Sequence, residues 1–171
     1  MRFCEELKKE RAESLNGVVL AFVGDAVYSL FVREKLVAEG DRKTGDLNRR
    51  SSAVVCAKAQ AVAAKEIYPL LTEEEQGVFR RGRNAKKPSH AKNAGVAEYN
   101  LSTALEAVFG YLYLTGGRER LNELLSLAAD ISYPQVKESS SGRARREENE
   151  PSEKKIGETE DTDGKDERKT V

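Results

Sequence analysis

Two acidic side chains stand alone in the two most apolar stretches of the sequence. Asp25 is the only charged residue within residues 18–32, and Glu106 is the only one within residues 101–115. Small residues flank each acid, so two helices could pack closely here and bring the carboxylates together. Two carboxylates that meet in a partly buried site repel each other, and they stay ionised most readily when a cation is present. The pair therefore predicts a metal site.

Oxygen ligands of this kind suit Mg²⁺, with Mn²⁺ as a substitute. Such a metal can activate water and stabilise charge on phosphate oxygens, so we expect phosphodiester hydrolysis with Asp25 and Glu106 as catalytic and metal-binding residues. A plainer interpretation stays open for each acid taken alone. A single carboxylate in an apolar helix is often an N-cap, a salt-bridge partner or a residue that faces solvent.

The strongest positive charge lies in one short segment. Between Arg80 and Asn93 there are six Lys or Arg residues and no acid, although the formal net charge of the whole chain is zero. Such a segment creates a local field that attracts phosphates. The segment could instead be an ordinary solvated loop without a binding role. If it does bind phosphates, Arg49, Arg50 and Lys58 could extend the basic surface, although these three could also belong to an ordinary solvated helix face. Asn84 could hydrogen-bond 2′-hydroxyls or base edges if the partner is an RNA. The candidate residues for binding such a nucleic acid are Arg81, Arg83, Asn84, Lys86, Lys87 and Lys92.

The pattern of apolar residues predicts an all-α fold. Apolar positions recur at helical spacing, punctuated by Gly, Pro and capping residues. We expect a charged lead-in over residues 1–16, which could form a first helix, and a loop over residues 81–95. Helices are predicted over residues 18–38 and from a cap at Thr44 or Asp46 to about Ile67. Thr72 and Glu75 fit a capping box that opens a helix over residues 72–80. A helix over residues 97–114 is stopped by Gly116-Gly117, and a last one covers residues 118–131.

Composition changes after Pro134. Residues 137–171 contain 20 charged residues and only three apolar ones, so they offer little surface to bury. We predict a folded domain over residues 1–135 and a disordered charged tail over residues 136–171. The apolar runs are too short to cross a membrane, and neither a signal peptide nor a metal-binding cysteine spacing is visible, which favours a cytoplasmic location.

Four short segments resemble the ribonuclease III family. Residues 23–27 (VGDAV) resemble its signature, and residues 103–114 (TALEAVFGYLYL) resemble its second acidic helix. Residues 81–86 (RGRNAK) and 57–61 (AKAQA) are similar to the Mini-ribonuclease III branch, which lacks the double-stranded-RNA-binding domain. The resemblance covers about residues 17–130.

This resemblance implies a ribonuclease III catalytic fold that acts as a homodimer and cuts double-stranded RNA, leaving 5′-phosphate and 3′-hydroxyl ends. It places Asp25 and Glu106 in the metal-ligand roles. We expect Gly24, the apolar residues around it and the matching face near Glu106 at the dimer seam. The Mini branch implies maturation of the large-subunit (23S) ribosomal RNA precursor, with ribosomal proteins as further partners and no membrane partner.

The sequence departs from the full-length family at two positions. Ala21 and Thr103 stand where that family has acidic residues, and we expect the Thr103 hydroxyl to hold a water of the metal. Two rival functions remain. The chain could be a non-cleaving RNA-binding or ribosome-assembly protein on the same fold, or a helical interaction domain without nucleic acid. The retained acids argue against the first, and the basic segment argues against the second.

Overall fold

The computed structural model describes residues 5–85 and 95–147, with side chains through Tyr133. The backbone in these two ranges is helical between short connections and contains no strand, so the predicted all-α fold is confirmed. The helices are α1 (Lys9–Glu13), α2 (Gly17–Ala38), α3 (Thr44–Val55), α4 (Ala57–Ile67) with a 3-10 turn (Tyr68–Leu70), α5 (Glu73–Asn84), α6 (Val96–Thr115) and α7 (Arg118–Glu147).

Helix α6 forms the centre of the core. It packs against α2, α4, α5 and α7, and most of its side chains after Leu101 are buried. This explains why its sequence is apolar on nearly every side rather than along one stripe. It ends at Gly116, whose φ of 83° is left-handed, as the Gly-Gly pair predicts. The core cluster to which α6 belongs also includes, on other helices, Leu20, Tyr28, Val32, Ile67, Val78, Phe79, Leu124 and Leu125.

The helix predicted to run without interruption to Ile67 is two helices. Cys56 separates α3 from α4 with an extended backbone, at φ −68° and ψ 150°. Neither Thr44 nor Asp46 caps α3, because Lys43 occupies the N-cap position without a side-chain hydrogen bond. The Asp46 carboxylate instead accepts hydrogen bonds from Arg49 and Arg50. A local ion-pair cluster therefore uses the side chain that was expected to cap the helix.

Helix α5 extends further than predicted. Thr72 and Glu75 form the expected capping box at its start, but the helix ends at Asn84 rather than near Arg80. Gly82, which the sequence predicts to be a loop residue, is buried in the last turn against α6. The close approach of the two helices favours a residue without a side chain here, and this contact outweighs the low helix propensity of glycine.

Helix α7 continues past its predicted end at Ile131 to Glu147. The helical backbone of residues 137–147 differs from the predicted disorder. Extending a helix that is already packed requires no new nucleus, so a segment can stay helical without burying apolar surface of its own. Residues 148–171 lie outside the described residues, and the division into a domain and a tail stays a prediction.

A buried ion pair attaches α5 to α7. The Glu75 side chain is only 5% exposed and accepts hydrogen bonds from Arg120 Nε at 3.0 Å and Nη2 at 3.2 Å. Burial alone would raise the pKa of the Glu75 carboxyl, but the hydrogen bonds from Arg120 and from the Thr72 backbone lower it below its usual value. Glu75 is therefore held as an anion.

In the two described ranges, no helix is both long and apolar enough to span a membrane.

Candidate active site

The crossing of α2 and α6 brings the two acids together. Asn16 caps α2 by accepting a hydrogen bond from the Val18 amide. About two turns further on, an ideal Cβ on Gly24 would lie 1.8 Å from the carbonyl oxygen of Glu106. The contact is nearly reciprocal, since a Cβ on Gly110 would lie 2.0 Å from the Leu20 carbonyl oxygen. The backbones touch, which places Asp25 beside the helix that carries Glu106.

Asp25 and Glu106 line one cleft of about 380 Å³. Its other walls come from α2, α4 and α6 and from the joint between α3 and α4. They are Val18, Ala21, Phe22, Val55, Ala57, Gln60, Tyr99, Ser102 and Thr103. The structure thus places the two predicted acids on one surface, with polar oxygen atoms around them. Their roles as metal ligands and catalytic residues stay predictions.

The burial of the two acids differs from expectation. Asp25 is exposed, while Glu106 is half-buried. The expectation that both carboxylates are partly buried is therefore wrong for Asp25, which pays little desolvation cost in the free protein. In the part of the chain that the structure describes, no group of three or more His, Cys, Asp or Glu side chains could hold a metal. Any metal here would have two carboxylates from one protomer.

Gln60 is a cleft residue that sequence reasoning missed. It lies on α4 and is 1% exposed, and its Nε2 donates to Glu106 Oε1 at 3.0 Å. The same nitrogen donates to the Val55 carbonyl oxygen at 2.8 Å. The signal in the sequence is weak. Gln60 is the one amide in α4, but the same helix also carries Lys58, Lys65 and Glu66, so Gln60 does not stand alone in an apolar run as Asp25 and Glu106 do.

Two hydroxyl groups stand one turn before Glu106 on α6. Thr103 Oγ1 donates to the Tyr99 carbonyl oxygen at 2.9 Å, and Ser102 Oγ donates to the same oxygen at 3.0 Å. Both side chains are buried at the wall of the cleft. Each hydroxyl proton is used within the helix, so Thr103 offers the cleft an acceptor oxygen rather than a donor. That property is compatible with the expected contact to a hydrated cation.

The basic residues divide into three groups. Arg83 and Asn84 are exposed at the end of α5, with Arg83 Nε 3.3 Å from Asn84 Oδ1. Arg81 is half-buried, and its guanidinium donates to the Glu13 carbonyl oxygen. These three residues belong to a helix and not to the predicted loop. Lys86, Lys87 and Lys92 lie outside the described residues.

Gly82 connects the basic end of α5 to the helix that carries Glu106. A Cβ on Gly82 would lie 2.8 Å from Ala107 Cβ and 3.0 Å from the Thr103 carbonyl oxygen. The last turn of α5 is therefore held directly against the acidic segment of α6. This contact fixes Arg83 relative to Glu106, which a mobile loop would not do.

One face of α2 is apolar and exposed. Val19, Phe22, Leu30 and Val37 lie on the same side of the helix, and Phe22 is 80% exposed. Gly24 does not belong to this face, because it is buried against α6 of the same protomer. Gly24 itself therefore packs within the chain, whereas its apolar neighbours Val19 and Phe22 are exposed. The expected dimer seam stays a prediction.

Comparison with known proteins agrees with these features. The Ribonuclease III domain family matches residues 18–117. The chain is 46% identical over 127 residues to the Mini-ribonuclease 3 of Thermoanaerobacter sp. (strain X514), a match that covers 74% of this chain and 89% of the relative. It is 50% identical over 118 residues to the Mini-ribonuclease 3 of Symbiobacterium thermophilum, with coverages of 69% and 91%.

A crystal structure of a Fusobacterium nucleatum protein has the same fold, with a TM-score of 0.65 and 32% identity. The match covers 71% of this chain and 97% of that one. The fold and these matches define an endoribonuclease that acts on double-stranded RNA. The chain belongs to the ribonuclease III family, and the resemblance to its Mini branch is confirmed.

Proposed function

We propose that the cleft between α2 and α6 hydrolyses double-stranded RNA with Mg²⁺, and that Mn²⁺ can substitute. The observation that supports this is the meeting of Asp25 and Glu106 on one cleft across a backbone-to-backbone crossing. The side-chain atoms here that could coordinate a cation are oxygens, which Mg²⁺ prefers. Mg²⁺ commonly uses one or two carboxylates and keeps several waters. The residues present therefore fit the metal.

Asp25 and Glu106 would hold the metal, which when bound activates water and stabilises charge on the phosphate. Asp25, being exposed, can bind from the open side of the cleft without first losing a protein partner. Glu106 is half-buried, so its carboxylate is restricted to fewer orientations. Thr103 presents an acceptor oxygen beside them.

Duplex RNA would contact the basic end of α5 and the segment that follows it. Arg83 and Asn84 are exposed there, and Arg83 can reach phosphate while Asn84 can reach sugar hydroxyls or base edges. Arg81 would contribute charge while its guanidinium stays bonded to Glu13. Lys86, Lys87 and Lys92 are proposed phosphate contacts on the basis of sequence alone.

We further propose that two copies act together, each cutting one strand, with products that carry 5′-phosphate and 3′-hydroxyl ends. The exposed apolar face of α2 supports this, since four large apolar side chains on one face favour contact with a second copy. Phe22 lies both on this face and at the cleft. A partner seated there would place the two active sites near one another.

The proposed substrate in the cell is the precursor of 23S ribosomal RNA, and the proposed location is the cytoplasm. The support is similarity to proteins named Mini-ribonuclease 3, over roughly nine-tenths of their length. Ribosomal proteins are proposed partners because they would present the precursor to the enzyme. Mapping RNA ends in cells that lack the protein tests this part of the proposal.

The cleavage test replaces one carboxylate at a time. We expect Asp25→Asn and Glu106→Gln each to slow Mg²⁺-dependent cleavage of an RNA duplex by at least about a hundredfold, because each removes a charged ligand. Duplex binding should persist. Glu34→Gln on α2 and Glu98→Gln on α6 are matched controls, since they neutralise carboxylates that do not line the cleft. Near-normal turnover of either cleft variant would contradict the proposed site, and binding without cleavage by the unaltered chain would favour an assembly protein.

A further inference from the structure

The amide of Gln60 has only one arrangement that fits its neighbours. Its Nε2 faces two acceptors, the Val55 carbonyl oxygen and Glu106 Oε1, and each receives one of the two amide hydrogens. Turning the amide over would place its oxygen against two oxygens, which is unfavourable. Both donors of the side chain are therefore used, and one of them fixes the Glu106 carboxylate.

This arrangement leaves the amide oxygen without a partner. Gln60 Oε1 is buried and accepts no hydrogen bond from any residue that the structure describes. Buried acceptors in folded proteins are nearly always paired, so an unpaired one next to a candidate site calls for a donor that binds there. Gln60 lines the same cleft as Asp25, Glu106 and Thr103. An occupant of this cleft could supply the missing donor if the lining moves enough to admit it, because Oε1 is closed to solvent in this structure.

We propose that Gln60 is a positioning residue of the active site: its Nε2 holds one oxygen of Glu106, and its buried Oε1 accepts a hydrogen bond from a water of a hydrated divalent cation. The inference rests on the proposed metal-dependent function. A hydrated cation fits because its charge complements the two carboxylates while its waters donate hydrogen bonds. Groups that support metal ligands in this way commonly change metal affinity by ten- to a hundredfold when they are removed.

Gln76 is a matched control within the same chain. Like Gln60, it lies on a helix and donates from Nε2 to the carbonyl oxygen five residues earlier, here Leu71 at 3.0 Å. It does not line the cleft. Replacing either glutamine by leucine removes the same kind of side-chain-to-backbone hydrogen bond, but only Gln60→Leu also removes the contact with Glu106.

The test compares the full-length chain with Gln60→Leu and Gln76→Leu. The first readout is the Mn²⁺ concentration that half-saturates the rise in unfolding temperature without RNA. The second is the Mg²⁺ concentration that half-saturates cleavage of an RNA duplex. We expect Gln60→Leu to raise both by about tenfold or more, and Gln76→Leu to leave both unchanged. Metal dependence of Gln60→Leu equal to that of the unaltered chain would overturn the proposal.

A measurement on the unaltered protein decides the question if Gln60→Leu does not fold. The chain has three glutamines, so their side-chain amide signals can be assigned by NMR. We expect the Gln60 signals to shift saturably with Mg²⁺ while those of Gln76 do not. If Mg²⁺ activates the protein but does not shift the Gln60 signals, this inference is overturned and the proposed function is not. A chain that neither binds nor needs a divalent cation overturns the proposed function as well.

Discussion

Adding one methyl group at Gly24 should separate the two helices that carry the acids. Its Cβ would lie 1.8 Å from the Glu106 carbonyl oxygen, whereas an ordinary contact needs about 3.5 Å. The obstacle is backbone and cannot rotate away, so we expect the clash to cost about 3–4 kcal/mol, at or above the upper end for overpacking. The higher helix propensity of alanine offsets about 1 kcal/mol of this cost. The net loss of about 2–3 kcal/mol should lower the unfolding temperature by roughly 8–12 °C.

Gly77→Ala is the control for this variant. Gly77 also lies inside a helix, α5, but nothing stands within 4 Å of the Cβ it would gain. Alanine should therefore stabilise the protein by about 0.5–1 kcal/mol. Thermal and urea unfolding measure both variants, and cleavage assays should show that Gly24→Ala also loses activity because Asp25 shifts. A Gly24→Ala protein as stable as the unaltered chain would refute the inferred backbone contact.

Three further outcomes are expected. Replacing Arg83 and Lys86 together by Ala in the Asp25→Asn protein should weaken duplex binding. It should also reduce the slope of the logarithm of the binding constant against the logarithm of salt concentration by roughly one to two. An unchanged slope would place the RNA elsewhere. Glu75→Gln should destabilise by about 2–3 kcal/mol at pH 7. Because folding lowers the pKa of Glu75, this stabilisation exists above its unfolded pKa and is lost as pH falls below about 4, so urea midpoints of the two proteins should converge in acid. Phe22→Asp should convert a dimer in sedimentation into a monomer, and an unaltered dimer would exclude the exposed face of α2 as the seam.

The order of helices was predictable because apolar periodicity and punctuation are local properties. Thr72 with Glu75 marked the start of α5, and Gly116 marked the end of α6. The two acids were found because each is the only charge in a long apolar run. Their placement on one cleft also follows from the sequence, since small neighbours such as Gly24 allow a close crossing.

Other features depend on tertiary contacts that the sequence does not show. Gly82 looked like a loop residue, yet its close contact with α6 keeps it helical. Arg81 looked like a free cation, yet it is bonded to the Glu13 backbone. The exposure of Asp25 could not be predicted from its apolar neighbours, because several of them, such as Phe22, are themselves exposed. Each of these outcomes depends on which part of the fold, if any, packs against the residue, and not on the residue type alone.

The small number of acids has a consequence for how metal and RNA bind. Ala21 and Thr103 line the cleft where the family resemblance places two further carboxylates, so the cleft carries two carboxyl groups rather than four. Fewer charged ligands bind a cation more weakly, but they also repel RNA phosphate less. A phosphate oxygen entering the cleft could then supply a further ligand to the proposed cation. Because coupling between two ligands is reciprocal, RNA should raise the affinity for Mg²⁺ by the same factor as Mg²⁺ raises the affinity for RNA. In this protein the substrate would complete the metal site, while Asp25, Glu106 and the neutral side chains around them set its position.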